Sequence, residues 1–168
     1  MRDLACEDAT PQQQWVHELD HAFREVFSLL AGRTCVPVHH PHEQASADAS
    51  HLFKAGIPIV AEVAFSGTLL GVFVLTLARH SAKDLTRTLL NASPSTPLPD
   101  ALLFDTVGEL CNMVAGSWKA RLAAPLSGCN LSPPTLPKAS TLPRNLRLNL
   151  SRIYAFASHL LLVELRLA

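Results

Sequence analysis

A line of polar residues with catalytic potential runs along the longest predicted helix of the chain. At about 100° per residue, Asp105, Glu109, Asn112 and Gly116 fall on the side opposite a stripe of apolar residues. The line offers two carboxylates, one carboxamide and a patch of bare backbone. Glycine costs about 1 kcal/mol relative to alanine inside a helix, and the close approach of a partner would explain Gly116. The same residues, with Lys119, are also compatible with an ordinary solvated face.

A second motif lies near the start of the chain and indicates a different chemistry. His17, Glu18 and His21 form a literal H-E-x-x-H, in which two imidazoles one helical turn apart can share a zinc ion while the glutamate acts as a base. Glu43 is the plausible third ligand. Both histidines lie off the apolar stripe of their helix and are expected to face solvent. A zinc hydrolase is therefore an alternative with less support than the polar line.

Three segments are predicted to be helical, and the last of them carries the polar line. In the first segment, apolar residues recur every three or four positions, and Gly32 follows as a stop signal. Ser81 and Asp100 are candidate N-caps of the second and third segments. The segments are residues 12–30, 81–90 and 100–122.

Apolar side chains alternate in the segments predicted to be strands. Residues 57–77 are expected to form two strands joined by a tight turn at Ser66-Gly67. The C-terminal part is expected to form two more, near residues 146–156 and 158–167.

This order of elements predicts an α+β fold, in which a mostly antiparallel β-sheet is covered by about three α-helices. Residues 1–10 are expected to be a flexible tail, and residues 11–168 a single domain. Residues 35–50 and 92–99 are rich in proline, histidine or small residues and are predicted to be irregular.

Composition excludes several classes of function. The 168 residues carry 14 basic and 14 acidic side chains, without the basic excess expected of a nucleic-acid-binding protein. The four cysteines are too widely spaced for a C-x-x-C zinc pattern and too few for a disulfide scaffold. The longest apolar stretch, residues 57–78, contains Glu62 and Pro58, which argues against a membrane span. With no signal-peptide pattern at the start, a cytoplasmic location is expected.

The polar line and a later proline together resemble the signature of the CheC/CheX/FliY chemotaxis phosphatases. That signature is Asp or Ser, three residues, Glu, two residues, Asn, then about 21 residues and Pro; here Asp105, Glu109 and Asn112 are followed, after 21 intervening residues, by Pro134. The motif occurs once, and its context, Glu-Leu-x-Asn-Met-Val-x-Gly, is similar to the CheX branch. The resemblance extends over residues 56–167.

This resemblance implies that the substrate is the phosphoaspartate of a CheY-like response regulator in chemotaxis or another two-component pathway. Asn112 and Glu109 would be the catalytic pair: Asn112 would orient a water for in-line attack on phosphorus, and Glu109 would pair with the regulator's lysine and fix the register of docking. Asp105 would extend that contact or hold the helix end. Pro134 would shape the adjacent loop, and Gly116 would permit close approach.

The resemblance also implies the cofactor and the partners. The chain would hold no metal or cofactor of its own, because Mg²⁺ is expected on the partner response regulator. A homodimer is expected, with sheet pairing through edge-like strands near the C-terminus as one route. The main alternative is a non-catalytic CheX-fold protein that docks a response regulator or a flagellar switch component.

Overall fold

A computed structural model describes residues 10–32, 34–38, 53, 57–122, 126, 128–136 and 146–168. Within these residues the chain forms three α-helices and six β-strands. The helices are α1 (Pro11–Ala31), α2 (Arg79–Leu90) and α3 (Asp100–Arg121). The strands are β1 (Cys35–Pro37), β2 (Ile59–Gly67), β3 (Gly71–Leu77), β4 (Cys129–Leu131), β5 (Arg147–Phe156) and β6 (His159–Leu167). The predicted tail, apart from Thr10, lies outside the described residues.

The six strands form one sheet in the order β1-β5-β6-β3-β2-β4, and every neighbouring pair is antiparallel. Side chains of α1, α2 and α3 join those of the sheet in one buried cluster. This arrangement confirms the predicted α+β fold class. Strand β6 lies between β5 and β3, so the expectation that it is edge-like was wrong. Strand β5 is paired with β1 over Tyr154–Phe156 only.

Helix α1 begins and ends as its sequence predicts. The side chain of Thr10 accepts a hydrogen bond from the backbone of Gln13, whose side chain in turn accepts one from the backbone of Thr10. Gly32 ends the helix at φ 58°, in the left-handed region that favours glycine. Leu29 was expected on the apolar stripe but is 75% exposed. It lies at the border of the stripe, about 60° around the helix from the buried Val26 and near the C-terminal end of the helix.

The turn between β2 and β3 is displaced from its predicted position. Ser66 and Gly67 continue β2, because they pair with Asn130 and Cys129 of β4. The chain reverses instead over residues 68–70. The pairing with β4 could not be inferred from local turn propensity.

Both predicted N-caps were wrong. Helix α2 begins directly after β3 with Ala78 at its N-cap position, so Ser81 is buried inside the helix. Pro99 occupies the N-cap position of α3, and neither helix has a side-chain cap hydrogen bond. Asp100 forms an ion pair with Arg79 instead, which links the first turns of α2 and α3.

The segment predicted to be irregular after α1 begins with a short strand. β1 pairs with β5 at one edge of the sheet, where Pro37, which has no N–H, is tolerated. The rest of that segment, from residue 39 onward, lies outside the described residues.

The core lies between the helices and one face of the sheet. The predicted apolar stripe of α3 is buried throughout, and Trp118 is its largest member. The ring of Trp118 meets that of Trp15 edge to face, with centroids 6.1 Å apart. The stripe consists of Leu103, Val107, Leu110, Val114 and Trp118.

The apolar stretch that includes β2 and β3 is a hairpin at the centre of the sheet. All seven residues of β3 are buried, which accounts for its uninterrupted apolar sequence. In the part of the chain that the structure describes, no helix combines the length and the apolar character needed to cross a membrane.

Candidate functional site

The polar line of α3 faces outward, as predicted, because the opposite stripe is fixed in the core. Asp105 and Glu109 are exposed, whereas Asn112 and Gly116 are half-buried. Successive members are three or four residues apart, so the line rises by about 5–6 Å per step. Any surface that contacts Asn112 is therefore also within reach of Glu109 and Gly116.

A cleft of about 310 Å³ lies beside the N-terminal half of α3. It brings together three of the predicted site residues, Asp105, Glu109 and Pro134, although Pro134 comes from a different element. Asn112 lies one turn beyond Glu109 and does not line this cleft. The lining residues are Ala61, Phe104, Asp105, Gly108, Glu109, Pro134, Thr135 and Leu136.

Backbone hydrogen bonds hold the segment that carries Pro134 against β2. The N–H of Thr135 donates to the carbonyl of Glu62, and the N–H of Glu62 donates to the carbonyl of Thr135, both at 2.8 Å. The N–H of Ser132 donates to the carbonyl of Ala64 at 2.9 Å. Pro134 thus lies between two anchored residues, and its position relative to α3 is well defined.

Gly108 is a site residue that sequence reasoning missed. A Cβ at this position would lie 3.3 Å from the Cβ of Pro134, a tighter contact than most side chains make. The glycine therefore allows Pro134 to pack directly on the backbone of α3. A second glycine in the predicted helix, besides Gly116, was the available signal.

The space around Gly116 is open. Among the described residues, no atom outside the neighbouring backbone of α3 lies within 4 Å of the position that a Cβ would occupy. Packing within the chain does not explain this glycine, unlike Gly108.

Cys111 precedes Asn112 but points into the core. Its thiol lies 3.6 Å from the carbonyl oxygen of Ala61, and burial raises its pKa to about 12. A thiol with such a pKa is protonated at neutral pH and is not a nucleophile. Cys111 therefore fills space beneath the polar line, as its sequence position predicts.

The H-E-x-x-H residues of α1 take part in contacts between elements. The carboxylate of Glu18 lies 3.7 Å from Arg121 of α3 and 3.3 Å from Nδ1 of His17. The rings of His17 and His21 are 4.6 Å apart between centroids. Among the described residues, no group of three or more His, Cys, Asp or Glu side chains could hold a metal ion. Glu43 and the histidines at positions 39, 40, 42 and 51 lie outside those residues.

Two other acidic residues of α1 also anchor the helix. Asp20 accepts two hydrogen bonds from the guanidinium of Arg152, at 2.8 and 2.6 Å, and one from the hydroxyl of Tyr154 at 2.8 Å. Glu25 accepts hydrogen bonds from Arg121 and Ser117, both at 2.8 Å. These contacts tie α1 to β5 and to α3.

Comparison with known proteins identifies one family for this chain. The model of a family described as chemotaxis phosphatase CheX matches residues 59–154. The chain belongs to the CheX family. The match includes the polar line of α3 and Pro134. A comparison with curated protein sequences finds no significant match.

Solved structures of CheX proteins have the same fold. CheX from Vibrio vulnificus is 16% identical, with a TM-score of 0.68 over 95% of this chain and 100% of that one. CheX from Desulfovibrio desulfuricans is 17% identical, with a TM-score of 0.69 over 92% and 99%. A structure of the CheX–CheY–BeF3–Mg complex from Borrelia burgdorferi is 13% identical, with a TM-score of 0.66 over 91% and 97%.

Proposed function

We propose that this protein dephosphorylates the phosphoaspartate of a CheY-like response regulator. The observation that carries the proposal is the outward line Asp105–Glu109–Asn112 of α3. Beside it lies a cleft lined by Pro134, whose segment is held on β2 by backbone hydrogen bonds. A family match described as a chemotaxis phosphatase supports it, as does the CheX–CheY complex of the Borrelia relative.

In the proposed reaction, water attacks phosphorus in line with the carboxylate oxygen of the phosphoaspartate. The new P–O bond forms as the bond to the aspartate breaks, the aspartate leaves as a carboxylate, and both protons of the water leave with the phosphate as dihydrogen phosphate. Asn112 positions the water, because a carboxamide can accept and donate a hydrogen bond without repelling the phosphoryl oxygens. The regulator supplies Mg²⁺, which neutralises charge on the phosphoryl group.

Glu109 sets the register of docking. It is exposed one turn before Asn112, and no basic side chain of the described residues is paired with it. A lysine of the regulator is its proposed partner, through a charge-assisted hydrogen bond. Asp105, in the same cleft, would extend this contact, and Pro134 would shape the cleft.

The test is phosphate release from a panel of phosphorylated response regulators. Wild-type protein should accelerate release, and Asn112→Ala should return it to the spontaneous rate while leaving binding intact. Asn130→Ala is the matched control, because Asn130 is an exposed asparagine on β4 that is not among the residues of α3 or of the cleft lining. Acceleration that survives Asn112→Ala would contradict the role of Asn112.

A non-catalytic docking protein is the second candidate. It is favoured by one observation: Asn112 is half-buried and does not line the cleft that Asp105 and Glu109 share. Binding of a regulator without faster phosphate release would establish this alternative. If the protein neither binds a regulator nor accelerates phosphate release, both the phosphatase and the docking protein are excluded.

The oligomeric state and location follow from the same proposal. We expect a homodimer, measurable by sedimentation equilibrium, and a cytoplasmic location, where response regulators act. Sheet pairing through β6 is not available for a dimer, because β6 is paired along its length by β5 and β3, whereas β1 pairs with only Tyr154–Phe156 of β5.

A further inference from the structure

A groove of about 560 Å³ separates the C-terminal halves of α1 and α3. Leu29 of α1 and Met113, Gly116 and Ala120 of α3 line it. Leu29 is the more conspicuous, since it is 75% exposed although it is a large apolar residue. The open space at Gly116 belongs to this groove.

The charged residues of the groove neutralise one another. The carboxylate of Glu25 accepts hydrogen bonds from Arg121 and from the hydroxyl of Ser117, and these bonds lower the pKa of Glu25. With the acid and the base paired, the surface that is left for a partner is apolar and shaped by small residues. Such a groove fits the apolar ridge of a helix better than a charged segment.

The groove is continuous with the surface proposed to hold the phosphoaspartate. Gly116 is one turn from Asn112, about 6 Å along α3, and Ala120 is about 12 Å away. A specific protein interface covers about 800 Å² on each partner, which corresponds to a disc of about 16 Å radius. An interface of that size centred on Asn112 would therefore extend over the groove.

Resting on the function proposed above, we infer that the α1–α3 groove receives an apolar ridge of a helix of the docked response regulator. Gly116 lets that helix approach the backbone of α3, and Leu29 and Met113 pack against it from the two sides. The groove supplies affinity for the regulator, whereas Asn112 supplies turnover. The two roles can therefore be separated by substitution.

Gly116 offers a test in which stability and binding change in opposite directions. Because a Cβ at position 116 meets nothing within 4 Å, Gly116→Ala should raise the thermal midpoint of the free protein. Gly116→Leu should weaken the binding of a regulator activated with beryllofluoride and Mg²⁺ by tenfold or more, since its side chain fills the space the partner needs. The thermal midpoint of Gly116→Leu is measured beside that of Gly116→Ala, and lower affinity in a Gly116→Leu protein that is at least as stable as wild type could not be explained by a folding defect.

Leu29→Ser provides the second variant, and Leu90→Ser its matched control. Leu90, on α2, is 52% exposed and does not line the groove. Loss of one buried leucine at an interface should weaken regulator binding about tenfold, whereas Leu90→Ser should leave it unchanged. Binding is measured by titration calorimetry, and turnover by phosphate release at saturating regulator.

The outcomes distinguish this inference from the proposed function. If wild-type protein dephosphorylates a regulator but Gly116→Leu and Leu29→Ser bind it as wild type does, the groove is not its docking site. If Asn112→Ala abolishes turnover while the groove variants raise only the half-saturating concentration, both proposals hold. If wild-type protein neither binds nor dephosphorylates any regulator, both are overturned.

Discussion

The backbone of Gly108 and the ring of Pro134 are in direct contact, with only 3.3 Å between the Cβ of the proline and the position that a Cβ of residue 108 would take. This contact joins the helix that carries Glu109 and Asn112 to a segment fixed on β2. It sets the width of the cleft between them. Gly116, in the same helix, has no such neighbour among the described residues. Substitutions at the two glycines can therefore be compared directly, one with and one without a contact.

Gly108→Ala and Gly116→Ala should therefore differ in stability. Each substitution removes a helix penalty of about 1 kcal/mol. At position 116 this gain should appear in full as a higher free energy of unfolding. At position 108 the displacement of Pro134 should cancel most of it, because Thr135 is held by two backbone hydrogen bonds. Urea unfolding measures both, and equal stabilisation would contradict the tight contact.

Glu109→Gln should weaken the docking of the regulator while preserving turnover at saturation. Loss of one charge-assisted hydrogen bond costs about 1.5 kcal/mol of binding free energy. The half-saturating concentration of regulator in the phosphate-release assay should therefore rise about tenfold. Added salt should raise the half-saturating concentration of wild-type protein more than that of the variant. An identical salt dependence would argue against an ion pair at Glu109.

Glu62→Gln should stabilise the protein at neutral pH. Burial raises the pKa of Glu62 above its usual 4.5, and the nearby Arg166 offsets part of the rise. Because the pKa of Glu62 is higher in the folded protein than in the unfolded chain, its protonated side chain is tolerated below about pH 4.5. The protein loses stability as the pH rises through the pKa of Glu62 in the folded state. The thermal midpoints of the two proteins should therefore converge in acid and separate towards pH 7.

Glu164→Gln is the control for that prediction. Glu164 lies across β3 on the same sheet face, but its carboxylate accepts a hydrogen bond from Arg166 at 2.8 Å. Removing the negative charge there should not stabilise the protein at pH 7. Equal gains from both variants would mean that burial of Glu62 is not the cause.

Asp20→Ala should destabilise the protein by about 2–3 kcal/mol, because it leaves the guanidinium of Arg152 and the hydroxyl of Tyr154 without their shared acceptor. Asp84→Ala, which removes an exposed carboxylate that contacts Arg87 and His159, should change the free energy of unfolding by less than about 1 kcal/mol. Chemical denaturation of the two variants compares a half-buried with an exposed carboxylate.

The alternative of a zinc hydrolase is tested by changing His17 and His21 together to alanine. Because Glu18 is engaged by Arg121 and His17, we expect regulator dephosphorylation to be unaffected and the purified protein to contain no stoichiometric zinc. Zinc that is lost together with activity in the double variant would revive the alternative.

The rotation of α3 could be predicted from sequence because helical periodicity is local: a buried stripe ending at Trp118 places Asp105, Glu109 and Asn112 outward. Contacts between segments could not be predicted in this way. The pairing of Ser66 with β4 and the packing of Pro134 on Gly108 depend on how distant elements meet. Only the family resemblance connected Pro134 with α3, and no pattern indicated that Leu29 would lie beside a groove.

Helix α1 is joined to the rest of the fold by contacts that span most of the chain. Side chains of this helix form hydrogen bonds with partners 92 to 137 positions later, from Glu25 with Ser117 to Gln12 with Asn149. Closing such long loops has a high entropic cost before any contact forms. We therefore expect α1 to dock late in folding, after β5 has joined the sheet. During synthesis, Phe23 and Phe27 would stay uncovered until the last strands are made, so the nascent chain is most exposed to aggregation at this helix.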